Sequence, residues 1–265
     1  MQTKYHQIIQ SLFIHSLIEP ETNLPEINLK LYEACKSGDF AFVSMFSKKK
    51  INFEGILYSL NEDDRTAVIF QCLEARGDIF IPRSIECEGK EYVIDSIFEN
   101  AFKNKKRVKS IQFSSDSELK RIEKHAFYNA AIKKIRIPSS VTFIGQQPFF
   151  SCELCQFEFQ ANSRLTFFNK YFFHDSSIKT VVIPKSVTQL KKGWCARTLL
   201  ENVDVEPGNP RFKKHEKFIV GKSDEKSDVY DVLYFAPRNI KNVNIPSFIR
   251  VIAPYAFDEC ESIKN

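Results

Sequence analysis

Residues 131–145, with the sequence AIKKIRIPSSVTFIG, contain the pattern that decides the fold. The isoleucines at positions 132, 135 and 137 are separated by two lysines and an arginine. The step of two residues between Ile135 and Ile137 is the period of a β-strand with one buried face. Pro138 ends such a strand, because proline has no amide hydrogen to donate and a fixed backbone angle. The stretch therefore predicts a short strand with an apolar face and a charged face.

The same block recurs along the chain, with apolar residues at its first, fourth and sixth positions. Its copies begin at Val108, Ile132, Leu154, Ile178, Leu200 and Ile240. A second block accompanies it and ends in an aromatic slot, which holds Phe102, Phe127, Phe149, Phe173 and Phe257, with Cys195 as a variant. From Phe102 to Cys195 the slots are 22 to 25 residues apart. This spacing lies within the range of about 20 to 29 residues found in leucine-rich repeats.

One such coil is too small to bury its own apolar face, so the repeat predicts that successive coils stack. We expect a β-rich, right-handed leucine-rich-repeat solenoid in which short parallel strands lie about 4.8 Å apart. The fourth positions should then form adjacent rungs, at Ile135, Phe157, Val181 and Val203. The alternative, a sandwich of unrelated amphipathic strands, does not explain why both blocks recur together.

Residues 1–50 have a helical pattern and form a separate N-terminal module. Apolar residues at 9, 12, 13 and 17 fall at helical spacing and favour an amphipathic helix over a signal peptide. Residues 31–46 resemble the helical part of one ankyrin repeat, with a plain helical pair as the alternative.

Residues 51–265 form the solenoid. Alternating apolar runs within residues 51–95 predict a β cap at its N-terminal end. Within residues 206–239, a turn cluster and two apolar runs around a charged loop predict an inserted β-hairpin that protrudes from the solenoid. The last coil is expected to be uncapped, which would expose its apolar edge.

Two stretches resemble BspA-type leucine-rich repeats, namely residues 131–145 and residues 240–260, IKNVNIPSFIRVIAPYAFDEC. Both follow the family pattern L-x-x-I-x-I-P-x-x-V-x-x-I-G-x-x-A-F-x-x-C, and the resemblance covers roughly residues 56–265. It implies a curved solenoid with a binding role, often adhesion or protein interaction, and no catalytic activity. The chain departs from the pattern at Lys105, where a small residue is usual, and at Leu165-TFFNKYFF, which lacks the Gly and the Ala.

Composition and motifs give no indication of an enzyme. Glycine occurs 8 times, and no phosphate-binding or zinc-protease motif is present. Cys152 and Cys155 form a CxxC without the second pair of ligands that zinc usually needs. In the repeat register, Cys152 and Cys260 occupy equivalent positions of two repeats, a small buried slot. We therefore predict no catalytic residues, no metal and no cofactor. A zinc-dependent or hydrolytic enzyme is the least favoured alternative.

Charge and cysteine content bear on partners and location. The net charge of +5 is small and does not indicate a specific nucleic-acid partner. The 7 cysteines are an odd number with irregular spacing, unlike a secreted disulfide framework. With no signal peptide or transmembrane run visible, the sequence favours a cytoplasmic location, whereas the family resemblance implies the cell surface.

The exposed strand positions are the candidate binding surface. The second, third and fifth positions of each block should point outward, basic in the second coil and acidic in the fifth, which suits protein recognition. The predicted binding residues are Lys109, Gln112, Lys133, Lys134, Arg136, Gln156, Glu158, Lys179, Thr180, Glu201, Asn202, Asp204, Lys241, Asn242 and Asn244. The sequence thus predicts a non-enzymatic protein-binding scaffold. The alternative is a surface adhesin that binds host protein or glycan.

Overall fold

Strands account for all regular secondary structure in residues 48–263, the part of the chain that the computed structural model describes. The helical module expected at residues 1–50, with its ankyrin-like segment, lies outside these residues, except that Lys50 begins the first strand. Six strands precede the regular coils: β1 (Lys50–Phe53), β2 (Ile56–Asn61), β3 (Thr66–Cys72), β4 (Gly77–Ile81), β5 (Ser84–Cys87) and β6 (Lys90–Ile97).

Antiparallel and parallel pairing meet in this first part of the molecule. β1, β2 and β3 form an antiparallel meander, and β5 pairs antiparallel with β6. β6 then lies parallel to β3, which changes the sheet to the parallel pairing of the coils. Tyr58 and Tyr92 fill the space beneath this sheet, and each is 1% exposed.

Each regular coil contains a longer strand, and the first four also contain a two-residue strand. The longer strands are β7 (Val108–Phe113), β9 (Lys134–Ile137), β11 (Gln156–Phe159), β13 (Thr180–Ile183) and β15 (Asn202–Val205). The short strands are β8 (Arg121–Ile122), β10 (Phe143–Ile144), β12 (Phe167–Phe168) and β14 (Gln189–Leu190). After the short strand the chain passes close to the neighbouring coil. A Cβ on Gly145, the residue after β10, would lie 2.4 Å from the amide nitrogen of Lys124.

The longer strands stack in the register that the repeat predicts. β4, β7, β9 and β11 form one parallel sheet, in which Ile135 is opposite Phe157, and β13 and β15 form a second, in which Val181 is opposite Val203. The ladder is interrupted between β11 and β13. At this point the ring of Phe157 packs edge-on against that of Phe173, with centroids 4.8 Å apart.

A ladder of phenylalanines runs through the core beside the strands. The rings of Phe127 and Phe149 are stacked 5.3 Å apart with an interplanar angle of 3°, and Phe102 stacks on Phe127 at 5.4 Å. Phe173 continues the ladder at 6.3 Å from Phe149. Such stacked aromatic pairs contribute about 0.5–1.5 kcal/mol each beyond the area that they bury.

Each aromatic slot lies between two residues in the left-handed backbone region. Around Phe127 these residues are His125, with φ of 57°, and Asn129, with φ of 53°. The same two positions have positive φ around the other slots, at Asn100, Asn104, Gln147, Ser151, Tyr171, Asp175, Gly193, Arg197, Tyr255 and Glu259. For residues other than glycine this region costs roughly 1–2 kcal/mol per residue, so burial of the ring between them must offset the cost.

The elongated coil contains β16 (Phe212–His215), β17 (Phe218–Gly221) and β18 (Val232–Phe235), and β19 (Val251–Ile252) belongs to the last coil. β17 and β18 pair antiparallel around the charged loop, but β16 adds a third strand and β18 pairs parallel with β19. Phe218, Ile219 and Val220 are all 0% exposed. The apolar residues of the predicted hairpin therefore belong to the core, whereas most of the charged loop between β17 and β18 is exposed.

Arg238 joins the elongated coil to the coils on either side and is only 6% exposed. Its guanidinium donates to the carbonyl oxygens of Cys195 at 3.1 Å and Ala256 at 3.0 Å. It also lies 5.0 Å from the ring centroid of Phe235. Since Cys195 replaces a phenylalanine, its slot has room for the guanidinium.

Two apolar slots of the last coil are exposed. Ile245 and Ile252 are 40% and 50% exposed, whereas Ile137 and Ile144, at the equivalent positions of an inner coil, are each 0% exposed. Residues 240–246, expected to form a sixth strand, have no strand. The place next to β15 is taken instead by the antiparallel strands of the elongated coil, which contact it.

We expect Phe149→Ala to lower the free energy of unfolding by about 3–5 kcal/mol, because it leaves a cavity between stacked rings. Urea denaturation followed by circular dichroism measures the change. Phe150→Ala is the matched control, since Phe150 is the next residue but only half-buried. Equal losses in the two variants would contradict the role given to the ladder.

Candidate functional site

The outward side chains of β4, β7, β9, β11, β13 and β15, together with the exposed residue directly before each of β9, β11, β13 and β15, form one surface, here called the strand face. In the last five strands the residue at the fourth position of the block points into the core and is buried. The flanking third and fifth positions point away from it, because side chains alternate along a strand. The core thus fixes the backbone of every rung while leaving its outer side chains accessible.

The structure places twelve of the predicted binding residues on the strand face. They are exposed, except for the half-buried Asp204: Lys109, Gln112, Lys133, Lys134, Arg136, Gln156, Glu158, Lys179, Thr180, Glu201, Asn202 and Asp204. Lys241, Asn242 and Asn244 are also exposed but lie outside any strand, so they do not extend its ladder. Their segment is connected to β16–β17 instead, through a 2.7 Å hydrogen bond from Lys217 Nζ to the carbonyl oxygen of Asn242.

Sequence reasoning missed two residues of the strand face, Asp78 and Phe80. β4 pairs with β7 in parallel, with Asp78 opposite Ser110 and Phe80 opposite Gln112. Phe80 is 53% exposed, which is unusual for a phenylalanine of this chain. The signal is present in the sequence, since Ile79-Phe-Ile81-Pro82 has the same I-x-I-P pattern as the later coils, but the alternating apolar runs of residues 51–95 predict a cap at this place.

Basic residues concentrate at the β7–β9 end of the strand face. The amide of Lys133 donates to the carbonyl oxygen of Lys109 at 2.8 Å, so these residues are neighbours in adjacent rungs. Lys134 and Arg136 follow on β9. Within residues 48–263, the ion pair that involves this group joins Arg136 Nε to Glu158 Oε2 at 3.8 Å, and both side chains are largely exposed.

Acidic residues at the β13–β15 end are instead paired with cations. Lys179 Nζ lies 2.9 Å from Glu201 Oε1, and Lys214 Nζ lies 2.6 Å from Asp204 Oδ1. The hydrogen bond from Lys214 lowers the pKa of Asp204 below its usual value. The strand face is therefore positive at one end and close to neutral at the other.

Comparison with family models gives the repeat its name. The model described as the BspA type leucine rich repeat region matches residues 94–215 and 229–265, in 6 copies. The chain belongs to this family. The match begins after β4, covers β7 to β15 of the strand face and resumes at residue 229, after the charged loop of the elongated coil.

Solved structures support the same fold. The crystal structure of the pneumococcal vaccine antigen PcpA is similar at 22% identity and a TM-score of 0.65, covering 82% of this chain and 63% of that chain. A leucine-rich repeat protein from Eubacterium ventriosum is similar at 21% identity and a TM-score of 0.59, covering 82% of this chain and 59% of that chain. The BspA-type chain thus spans less than two thirds of the length of either protein. A comparison with curated proteins finds no match.

The two cysteines of the CxxC face different environments in this BspA-type coil. Cys152 is 3% exposed, and its Sγ donates to the carbonyl oxygen of Phe127 at 2.7 Å. Burial raises the pKa of the Cys152 thiol to about 12. Cys155 is exposed on the strand face, next to Lys133. The pair does not converge on one site, because one thiol fills the small slot of the repeat and the other faces outward.

The remaining polar groups do not gather around a common centre. Among residues 48–263, no three or more His, Cys, Asp or Glu side chains are placed to hold a metal ion. His125 and His174 belong to the turns beside the aromatic slots, where burial lowers the pKa of each imidazole. His125 Nε2 is 2.9 Å from Gln147 Oε1 in the next coil, and His174 stacks on Phe150 at 4.9 Å. No helix of the described residues is long and apolar enough to span a membrane.

At neutral pH we expect N-ethylmaleimide to modify Cys155 at least tenfold faster than Cys152, because the thiolate is the reactive form and the Cys152 thiol is buried. Peptide mapping by mass spectrometry measures both rates in one sample. In denaturant the two rates should become similar. Equal rates in the native protein would show that Cys152 does not lie in the core.

Proposed function

We propose that this BspA-type chain is a non-enzymatic scaffold that binds a protein partner through the strand face. One observation carries the proposal: within each rung, the buried residues hold the strand in place and the exposed ones take no part in the stacking of the core. Ile135 is 1% exposed, whereas the neighbouring Lys134 and Arg136 are exposed. A surface held in this way is preorganised, so a partner loses less conformational freedom on binding.

The chemistry of the face also favours protein recognition. Cations lie at one end, an exposed aromatic ring lies beside them, and neutral polar side chains such as Gln156 and Thr180 fill the middle. Complementary charge gives specificity and orientation to a protein complex, while an exposed ring supplies apolar contact. A cytoplasmic scaffold, which the sequence favours, and a surface adhesin would both use this face. Fractionation of the producing cells distinguishes these two hypotheses.

We expect a photoreactive benzoylphenylalanine at Gln156 or Thr180 to form covalent adducts with a partner protein in the cells that produce the chain. Both positions are exposed and neutral, so the probe leaves the charges of the strand face intact. Immunoblotting and mass spectrometry detect and identify the adducts.

Matched probes at Lys170 and Lys192 serve as the control, because these exposed residues follow β12 and β14 on another side of the coils. They should give no adduct with the same protein. Adducts confined to Lys170 and Lys192 would contradict the proposal, as would the absence of adducts at Gln156 and Thr180.

A further inference from the structure

Four cations on adjacent rungs form a patch in which few of the positive charges are paired with a carboxylate. The basic patch consists of Lys109, Lys133, Lys134 and Arg136, all of them exposed. Ser110 lies opposite Lys134 in the ladder, so the four side chains occupy two neighbouring rungs about 4.8 Å apart. The Lys109 ammonium donates to the carbonyl oxygen of Lys106 at 3.3 Å, and no carboxylate of residues 48–263 forms an ion pair with Lys133 or Lys134.

Carboxylates lie on both sides of this patch. Glu158 is opposite Arg136 on the rung that follows, and Asp78 is opposite Ser110 on the rung that precedes. Asp78 Oδ1 also accepts a 2.6 Å hydrogen bond from Ser110 Oγ. The positive region is therefore short along the stack and ends in negative charge on either side. A long polyanion laid along the strand face would meet both carboxylates, whereas a short segment can keep its acidic side chains over β7 and β9, between them.

An apolar contact point lies beside the cations. Phe80 is opposite Gln112 in the ladder, and Gln112 follows Ile111, which is opposite Ile135 on the next rung. Phe80 thus lies on the rung before the patch, 53% exposed. A ligand that pairs with the cations can place an apolar side chain on this ring without leaving the strand face.

We propose that the basic patch and Phe80 together bind a short acidic segment of a protein partner that carries an apolar side chain next to its carboxylates. This inference rests on the proposed function and names the chemistry of the partner. Arg136 offers paired donors to a carboxylate, and the lysines act as point charges. Phe80 covers the apolar side chain.

The test measures binding of a short fluorescein-labelled peptide of glutamates with one central phenylalanine to the full chain by fluorescence anisotropy. Affinity should fall as NaCl rises from about 50 to about 200 mM, because exposed charges are screened. The variant K133E/K134E/R136E should lose at least about tenfold in affinity, since repulsion replaces three attractions. F80A should lose about threefold, with an unchanged dependence on salt.

The matched control is K124E/K170E/K192E, which makes the same change in net charge at exposed lysines away from the strand face. It should bind the peptide within about twofold of the unmodified chain. Circular dichroism checks that both triple variants fold. If the reversed patch unfolds the chain, K133Q/K134Q/R136Q replaces it and should still lose affinity.

Three results would overturn the inference: equal losses in the two triple variants, equal binding of a peptide with glutamine in place of glutamate, or equally tight binding of a single-stranded oligonucleotide of the same charge. The photoreactive probes at Gln156 and Thr180 keep this separate from the proposed function. Adducts at those positions without peptide binding would refute the acidic partner and leave the strand face as a binding surface.

Discussion

The structure depends on the burial of apolar slots between successive coils, since no coil has enough apolar surface to fold alone. Phe127 and Phe149 are fully buried and stack on each other from neighbouring coils. Ile135 and Phe157 likewise meet in the ladder from neighbouring coils. Two slots of the last coil illustrate the same dependence, because they are exposed where no further coil of the described residues packs against them. Ile252 is 50% exposed at the position where Ile144 is 0% exposed.

This constraint also produces the candidate binding surface. Strand alternation sends every second side chain into the stack, so the outward positions are free to vary in charge and size without disturbing the core. The chain uses that freedom unevenly. Cations collect at β7 and β9, where the ion pair is the exposed one between Arg136 and Glu158, whereas Lys179 and Lys214 neutralise the acidic end. A surface that is uneven in charge along one axis can orient a partner as well as hold it.

Periodic features could be predicted from the sequence, and features that break the period could not. The blocks from Val108 to Val205 predicted the strands and twelve strand-face residues, because these follow from local alternation of apolar and polar residues. The aromatic ladder could be predicted from the regular spacing of its slots. Phe80 was missed although Ile79-Phe-Ile81-Pro82 repeats the I-x-I-P pattern, because this run lies before the first complete block and joins the face through pairing with β7. The sixth block has the right pattern but no strand, since β16 and β17 pack beside β15. The left-handed turns could not be predicted from the sequence, because residues such as His125 and Tyr171, unlike glycine, do not indicate a positive φ.

A double-mutant cycle on Ile135 and Phe157 tests the stacking of coils most directly. These residues are opposite each other in adjacent rungs, whereas Ile135 and Val203 lie in separate sheets. With alanine at each position, urea denaturation should give a coupling energy of about 0.5–3 kcal/mol for Ile135 with Phe157. For Ile135 with Val203 the effects should add within about 0.5 kcal/mol. Additive effects for both pairs would contradict the account.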